Sequence, residues 1–244
     1  MSLIDVESVP RRTMTLFFMA DTSGSMAGNK IGALNDAITN ILPMISEISN
    51  TNPDAEIKIA ALQFSSGTSW LYDEPKNAED FVWQEQKASG LTSLGEACCE
   101  LEKVMHRNGF LKSASGSYAP AIIPLSDGGA TDNFDQGIEK LKTNNWFKAA
   151  IKIAIAIGDD ADKDELKKFT GNLEAVIEVH NIEALKQIIR IVAVTSSQIG
   201  SKSTSATDTT KQDQVVEEIK QQIENVDGAN TAADPAPAAD DYWD

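Results

Sequence analysis

The sequence predicts an α/β fold with a doubly wound, mostly parallel central sheet and helices on both faces. Three observations carry this. Candidate strands at 13–20, 118–125 and 149–157 read as near-continuous apolar runs, as strands covered on both faces do. Between them lie stretches with apolar residues three and four apart, the period of an amphipathic helix. The strand-like runs end in small polar residues, at Asp21-Thr22-Ser23-Gly24-Ser25 and Ser126-Asp127-Gly128-Gly129, or at Gly158. Alternation of this kind builds a sheet whose crossovers are helices.

The first run, 13–20, contains Leu16, Phe17, Phe18 and Met19. Ile31, Leu34, Ile38, Ile41, Leu42, Ile45 and Ile48 then mark a long helix, which Pro43 is expected to kink or break. A second strand follows at 56–64, with a hairpin partner at 69–72. Leu94, Cys98, Leu101 and Met105 define the next helix and place Cys98 on its apolar face. After the run at 118–125, Phe134, Ile138 and Leu141 mark another helix. The strand at 149–157 precedes a short helix at 162–169, with Asp162 and Glu165 at capping-box spacing. A last strand at 175–179 leads to a closing helix at 182–194. The Ser- and Thr-rich stretch 196–210 reads as a linker. Val215, Val216, Ile219 and Ile223 place a short amphipathic helix at 214–226, and the Ala/Pro/Asp-rich stretch 228–239 reads as disordered. The expected division is a lead at 1–12, a domain at 13–197 and an acidic C-terminal extension at 198–244.

Charge and composition exclude several functions. The net charge is −16, from 37 acids and 21 bases, which opposes non-specific nucleic-acid binding and suits contact with cations or basic partners. From Gln198 onward there are ten acids and three bases. No apolar run reaches the roughly 18–20 residues of a membrane span. The first ten residues hold no run of signal-peptide type, so the expected compartment is the cytoplasm. The two cysteines, Cys98 and Cys99, are adjacent, a spacing that strains a disulfide and cannot by itself make a structural zinc site.

In doubly wound sheets, ligands bind beyond the carboxyl ends of strands. That rule selects the segments after Ala20, after Leu125 and after Ile157. Asp21, Ser23 and Ser25 are small oxygen donors around Gly24, suited to a hard cation but equally to capping a helix. Asp127 supplies another carboxylate, with a turn residue as the plain alternative. A P-loop is excluded at 24–30, because Ile31 stands where Ser or Thr must follow the lysine. An EF-hand is excluded at 160–171, where Glu165 replaces the turn glycine and Gly171 the bidentate glutamate. His106 and His180 stand isolated in sequence, without partners for chemistry, and Trp70, Trp83 and Trp146 read as packing residues.

Asp21-x-Ser23-x-Ser25, then Thr92 in a loop before a helix, then Asp127 in a strand-terminal Ser-Asp-Gly, resembles the metal-ion-dependent adhesion site (MIDAS) of von Willebrand factor type A domains. The resemblance spans about residues 13–197 and implies that family's Rossmann-like fold. It implies that Ser23 and Ser25 bind a divalent ion directly, and that Asp21, Thr92 and Asp127 bind it directly or through water. An acidic side chain from a partner protein then fills an open coordination position. Magnesium is the expected ion, with manganese or calcium as substitutes. Two carboxylates at most balance such an ion and leave no negative excess, so a partner carboxylate is attractive there.

Segments 17–26, 88–95 and 126–132 resemble in particular the bacterial TerY-like proteins of tellurite-resistance and stress-response systems. Two positions depart from that pattern. Gly90-Leu91-Thr92 stands where Gly-Gly-Thr is usual, and Ala130 where proline is frequent. The resemblance implies a cation-dependent protein–protein interaction module rather than an enzyme. The rivals are a metal-dependent phosphatase of the haloacid-dehalogenase type and a scaffold with a purely structural metal. The phosphatase needs an aspartate two residues after its nucleophile, where this chain has Ser23, and a lysine before the later aspartate, for which no clear counterpart precedes Asp127.

Overall fold

The structure is a computed structural model, and it describes residues 11–111, 115–127, 129–159, 161–202 and 210–234. At its centre is β1 (Arg12–Asp21), buried along almost its whole length. Its side chains alternate across the sheet: Met14, Leu16, Phe18 and Ala20 enter one core, Phe17 and Met19 the other. Both phenylalanines are fully buried, and each such burial stabilises the fold by about 1.5–3 kcal/mol. On one side β1 pairs in parallel with β2 (Ala55–Phe64), which carries the short antiparallel strands β3 (Thr68–Trp70) and β4 (Lys76–Asn77). On the other side it pairs in parallel with β5 (Ala121–Ser126). Beyond β5, which also pairs the two-residue β6 (Ile151–Lys152), lie β7 (Ala154–Ile157), β8 (Val176–Val179) and the antiparallel β9 (Ala229–Thr231).

Helices α1 (Asn29–Thr51), α6 (Ile182–Gly200) and α7 (Lys211–Ile223) cover the face that holds Phe18. Helices α2 (Leu94–Val104), α3 (Phe134–Thr143) and α4 (Asn145–Ala149) cover the face that holds Phe17, and α5 (Lys163–Thr170) packs over β7 and β8. The chain leaves β1 for β2 on one side and then crosses to β5 on the other. The switch point of the sheet is therefore the crevice between the carboxyl ends of β1 and β5, where Asp21 and Asp127 stand.

Several expectations need correction. Of the two outcomes expected at Pro43, the break does not occur: α1 continues through it, and Pro43 and Thr39, whose carbonyl loses its partner, both lie on the exposed face where water can replace the bond. The run at 149–157 is not one strand: Ala149 ends α4, and the strand is divided at Ile153. At β6 the side-chain amide of Gln212 takes the place of a neighbouring strand, accepting from Lys152 N at 2.7 Å and donating to Lys152 O at 3.0 Å. The expected linker begins as helix, since α6 continues to Gly200 with Ser196 and Ser197 fully buried. At position 200 a Cβ would lie 2.6 Å from the Met14 methyl, so α6 ends closely packed on the β1 side chains. Residues 203–209 and 235–244 of the expected linker and tail lie outside the described residues.

The extension is also built into the sheet. Thr210 and Asp213 form a capping box at the start of α7, whose Val215, Val216, Ile219 and Ile223 are all buried. Residues 229–231, expected to be disordered, form β9, with Thr231 buried and paired to Ile177. The polar composition that suggested disorder is satisfied by backbone pairing to β8. Truncation after Asp227 is therefore expected to lower the melting temperature by several degrees, about 1–2 kcal/mol for a chain of this size. A calorimetric scan of the truncated protein checks this, and an unchanged melting point would mean that β9 adds nothing to the fold.

Candidate metal centre

Parallel register brings the first two loops together. Ala20 is opposite Leu125, so Asp21 and Ser126 follow side by side. The Ser126 hydroxyl donates to Asp21 Oδ2 at 2.6 Å. The other oxygen, Oδ1, accepts from the Ser23 amide at 2.8 Å, closing the turn that Asp21 begins. The hydroxyls of Ser23 and Ser25 are 2.9 Å apart, and Ser25 Oγ donates to Asp127 Oδ1 at 2.6 Å. Lys30, in the first turn of α1, donates its ammonium to Asp127 Oδ2 at 2.9 Å. Asp21 and Asp127 are both fully buried.

The loop bearing Thr92 is laced to both of these loops. Ser89 N donates to Thr22 O at 2.8 Å, and Gly24 N to Gly90 O at 3.0 Å. Gly90 has φ +83°, and a Cβ there would lie 2.4 Å from Ser66 Oγ, so glycine is required by both conformation and space. Thr92 N donates to Thr131 Oγ1 at 3.0 Å, while Thr131 N donates to Thr92 O at 2.8 Å. Asp132 caps α2 from a distance, accepting from Gly95 N at 2.9 Å and Glu96 N at 2.8 Å.

Asp21, Ser23, Ser25 and Asp127 thus form one continuous hydrogen-bonded chain. Thr92 is buried in the adjoining loop, held through its backbone rather than bonded to the other four. A fourth segment braces the site. Asp162 caps α5 as expected, accepting from Asp164 N and Glu165 N at 3.0 Å each. The capping box is not completed, because the Glu165 carboxylate instead accepts from Ala130 N at 2.7 Å, in the loop after Asp127. Burial raises the Glu165 carboxyl above its ordinary range, with that amide bond pulling it partly back.

The donor set suits a hard divalent ion: hydroxyl and carboxylate oxygens with few charges, the kind of set on which a cation such as magnesium keeps some of its water. Burial pushes the Asp21 carboxyl above its usual range, and the neutral donors Ser126 and Ser23 offset this only in part. Lys30 pairs with Asp127, while Asp21 is held by the neutral donors Ser23 and Ser126, so a bound cation would add positive charge beside two buried carboxylates.

Sequence reasoning missed three contributors. Lys30 lay in the stretch dismissed as a failed P-loop, and only the fold turns its side chain onto Asp127. Ser126 and Asp132 were quoted within motifs but given no role, although their places beside Asp127 and after Thr131 were the available signal. His180 is not isolated either: its ring meets Asp159, and Nε2 lies 3.0 Å from Asn230 Oδ1 and 3.6 Å from Glu178 Oε2.

No protein-family model and no curated protein sequence matches the chain. Solved structures do. A von Willebrand factor type A protein from Catenulispora acidiphila superposes with a TM-score of 0.55 at 17% identity, covering 78% of this chain and 43% of that one. Proximal thread matrix protein 1 from the mussel byssus, in a structure with a zinc-occupied MIDAS motif, gives 0.58 at 15% identity, covering 78% and 49%. The ArnB paralog VWA2 from Sulfolobus acidocaldarius gives 0.54 at 17% identity, covering 75% and 46%. The chain spans less than half the length of each. At these identities the likeness establishes the fold: a von Willebrand factor A fold, mixed α/β, with a mostly parallel sheet flanked by helices. Among the described residues, no helix is long and apolar enough to cross a membrane.

Proposed function

We propose that the chain is a divalent-cation-dependent protein–protein interaction module, with Asp21, Ser23, Ser25, Thr92 and Asp127 as the ion's ligands. The observation that carries this reading is the hydrogen-bonded chain from Asp21 to Asp127 across the switch point, with both carboxylates buried and Lys30 paired to Asp127. In this reading the Ser23 and Ser25 hydroxyls turn their lone pairs to the ion. Asp21 and Asp127 supply its counter-charge, and Thr92 contributes directly or through water. The bound ion supplies Lewis acidity toward one further oxygen ligand. An acidic side chain of a partner protein fits that position, because the two carboxylates alone do not over-neutralise a divalent charge.

Magnesium is the ion we assign, and the cytoplasm the compartment. The tellurite-resistance and stress-response setting rests on the sequence resemblance alone. We assign no catalytic residue. Both Asp21 oxygens are engaged by Ser23 and Ser126, and the position where a phosphatase needs its acid is Ser23, so the phosphatase alternative gains no support. The test is titration of the protein with magnesium, manganese and zinc by calorimetry, repeated on Ser23→Ala. The expected result is reversible binding of one ion per chain, weakened at least tenfold by the substitution. Absence of binding by the wild-type protein to all three would overturn the site and leave only the fold.

A further inference from the structure

Lys30 is the one member of this centre that a divalent-ion site does not need. Its Nζ sits 2.9 Å from Asp127 Oδ2, the oxygen that Ser25 leaves available, and its side chain is 16% exposed. It is delivered there by backbone geometry. Gly28, at φ +80°, turns the chain into α1, and Lys30 follows as the second residue of that helix. A positive charge in the first turn opposes the helix dipole, so the position is not explained by helix stability. Its partner is instead the buried carboxylate. Asp127 thus already holds one unit of positive charge before any ion arrives, beside the second buried carboxylate, Asp21.

We infer that Lys30 is the resident counter-cation of this site, and that a divalent ion must compete with it for Asp127. The inference rests on the reading of the site proposed above. Two consequences follow from charge alone. With Lys30 in place, the ion enters a region of net charge near −1 rather than −2, which weakens its binding. Once bound, the ion and Lys30 together leave the centre positive, which strengthens its attraction for an incoming carboxylate. Lys30 therefore trades ion affinity for partner affinity. It keeps the carboxylates compensated when the ion is gone, so the loops do not depend on metal to stay folded. Even with water-like screening, a unit charge a few ångströms from a divalent ion lowers its affinity by about tenfold.

The test compares wild type with Lys30→Met, Lys30→Gln and Lys30→Arg, titrated with magnesium chloride by calorimetry and melted with and without chelator. Removing the charge is expected to tighten magnesium binding by about tenfold or more in both neutral variants, while Lys30→Arg stays at or below the wild-type affinity. In chelator, Lys30→Met is expected to melt below wild type, and saturating magnesium to close or reverse that gap. Wild-type binding combined with unchanged or weaker binding in both neutral variants would overturn the role of Lys30 and leave the site standing. No binding by wild type or any variant would overturn the site itself, and the inference with it. If Lys30→Met does not fold, Lys30→Gln, which keeps a hydrogen-bond donor without the charge, decides the question.

Discussion

Gly137→Ala is expected to destabilise the protein by about 2–3 kcal/mol and to lower its melting temperature by roughly 5–10 °C. Helices α2 and α3 touch backbone to backbone where Gly95 meets Gly137. A Cβ on Gly137 would lie 2.2 Å from the Gly95 carbonyl oxygen, and one on Gly95 would lie 2.6 Å from Asn133 O. Neither neighbour is the flexible end of a side chain, so the helices themselves must separate. Two effects oppose each other. Alanine gains about 1 kcal/mol of helix propensity over glycine, while overpacking at such a contact costs about 3 kcal/mol or more, and the clash wins. The damage also reaches the site, because α2 starts just after Thr92 and α3 just after the loop that carries Asp127 and Asp132. Magnesium affinity should fall together with stability. Denaturant melts of the variant provide the check, and an unchanged or higher midpoint would show that the two helices tolerate separation.

Asp127→Ala is expected to abolish the stabilisation that magnesium gives, which mass action sets at ~1–3 kcal/mol well above the dissociation constant. Residue types alone suggest that emptying an anionic cluster costs the ion-free protein little. The structure reverses that expectation. Asp127 is fully buried and accepts from both Ser25 and Lys30, and its removal takes away both of these charge-assisted bonds. The ion-free variant should therefore lose a further ~1–2 kcal/mol, at the low end because Lys30 can turn to water. Ser23→Ala, which removes a single hydroxyl, should lose the magnesium increment with a smaller cost in chelator. Full magnesium-dependent stabilisation retained in Asp127→Ala would remove that residue from the site.

The alternation of apolar runs with helical periods made the long strands and, among the described residues, six of the seven α-helices legible, because strands such as β1 are apolar almost throughout and helices such as α1 write their burial into every third to fourth residue. Asp21, Ser23, Ser25 and Asp127 stood out too, since they lie at the ends of β1 and β5 where the punctuation is visible, whereas Thr92 follows no strand. What stayed hidden was every decision made by tertiary contact. Pro43 is tolerated because it faces water, and Ser196 and Ser197 are buried because α6 lies against the sheet. A three-residue strand such as β9 has no periodicity to detect. The bond from Lys30 to Asp127 joins residues far apart in sequence, and neither residue's neighbours announce the other. Helix α4, a single turn after Asn144, is too short to show a period, and only its last residue, Ala149, fell within the strand expected at 149–157.

The last strand of the sheet is also the last described element of the chain, and this fixes an order of assembly. Strand β8 comes off the ribosome some fifty residues before the β9 segment that pairs with it. Throughout that interval the unpaired edge of β8 is open to any other extended peptide, including a second nascent copy of itself. Helices α6 and α7 are made in the interval and can cover the face of the sheet, but not its edge. The acidic extension therefore acts as a late closure. Its arrival ends the period in which the growing chain is most exposed to aggregation, and its charge keeps neighbouring chains apart while they wait.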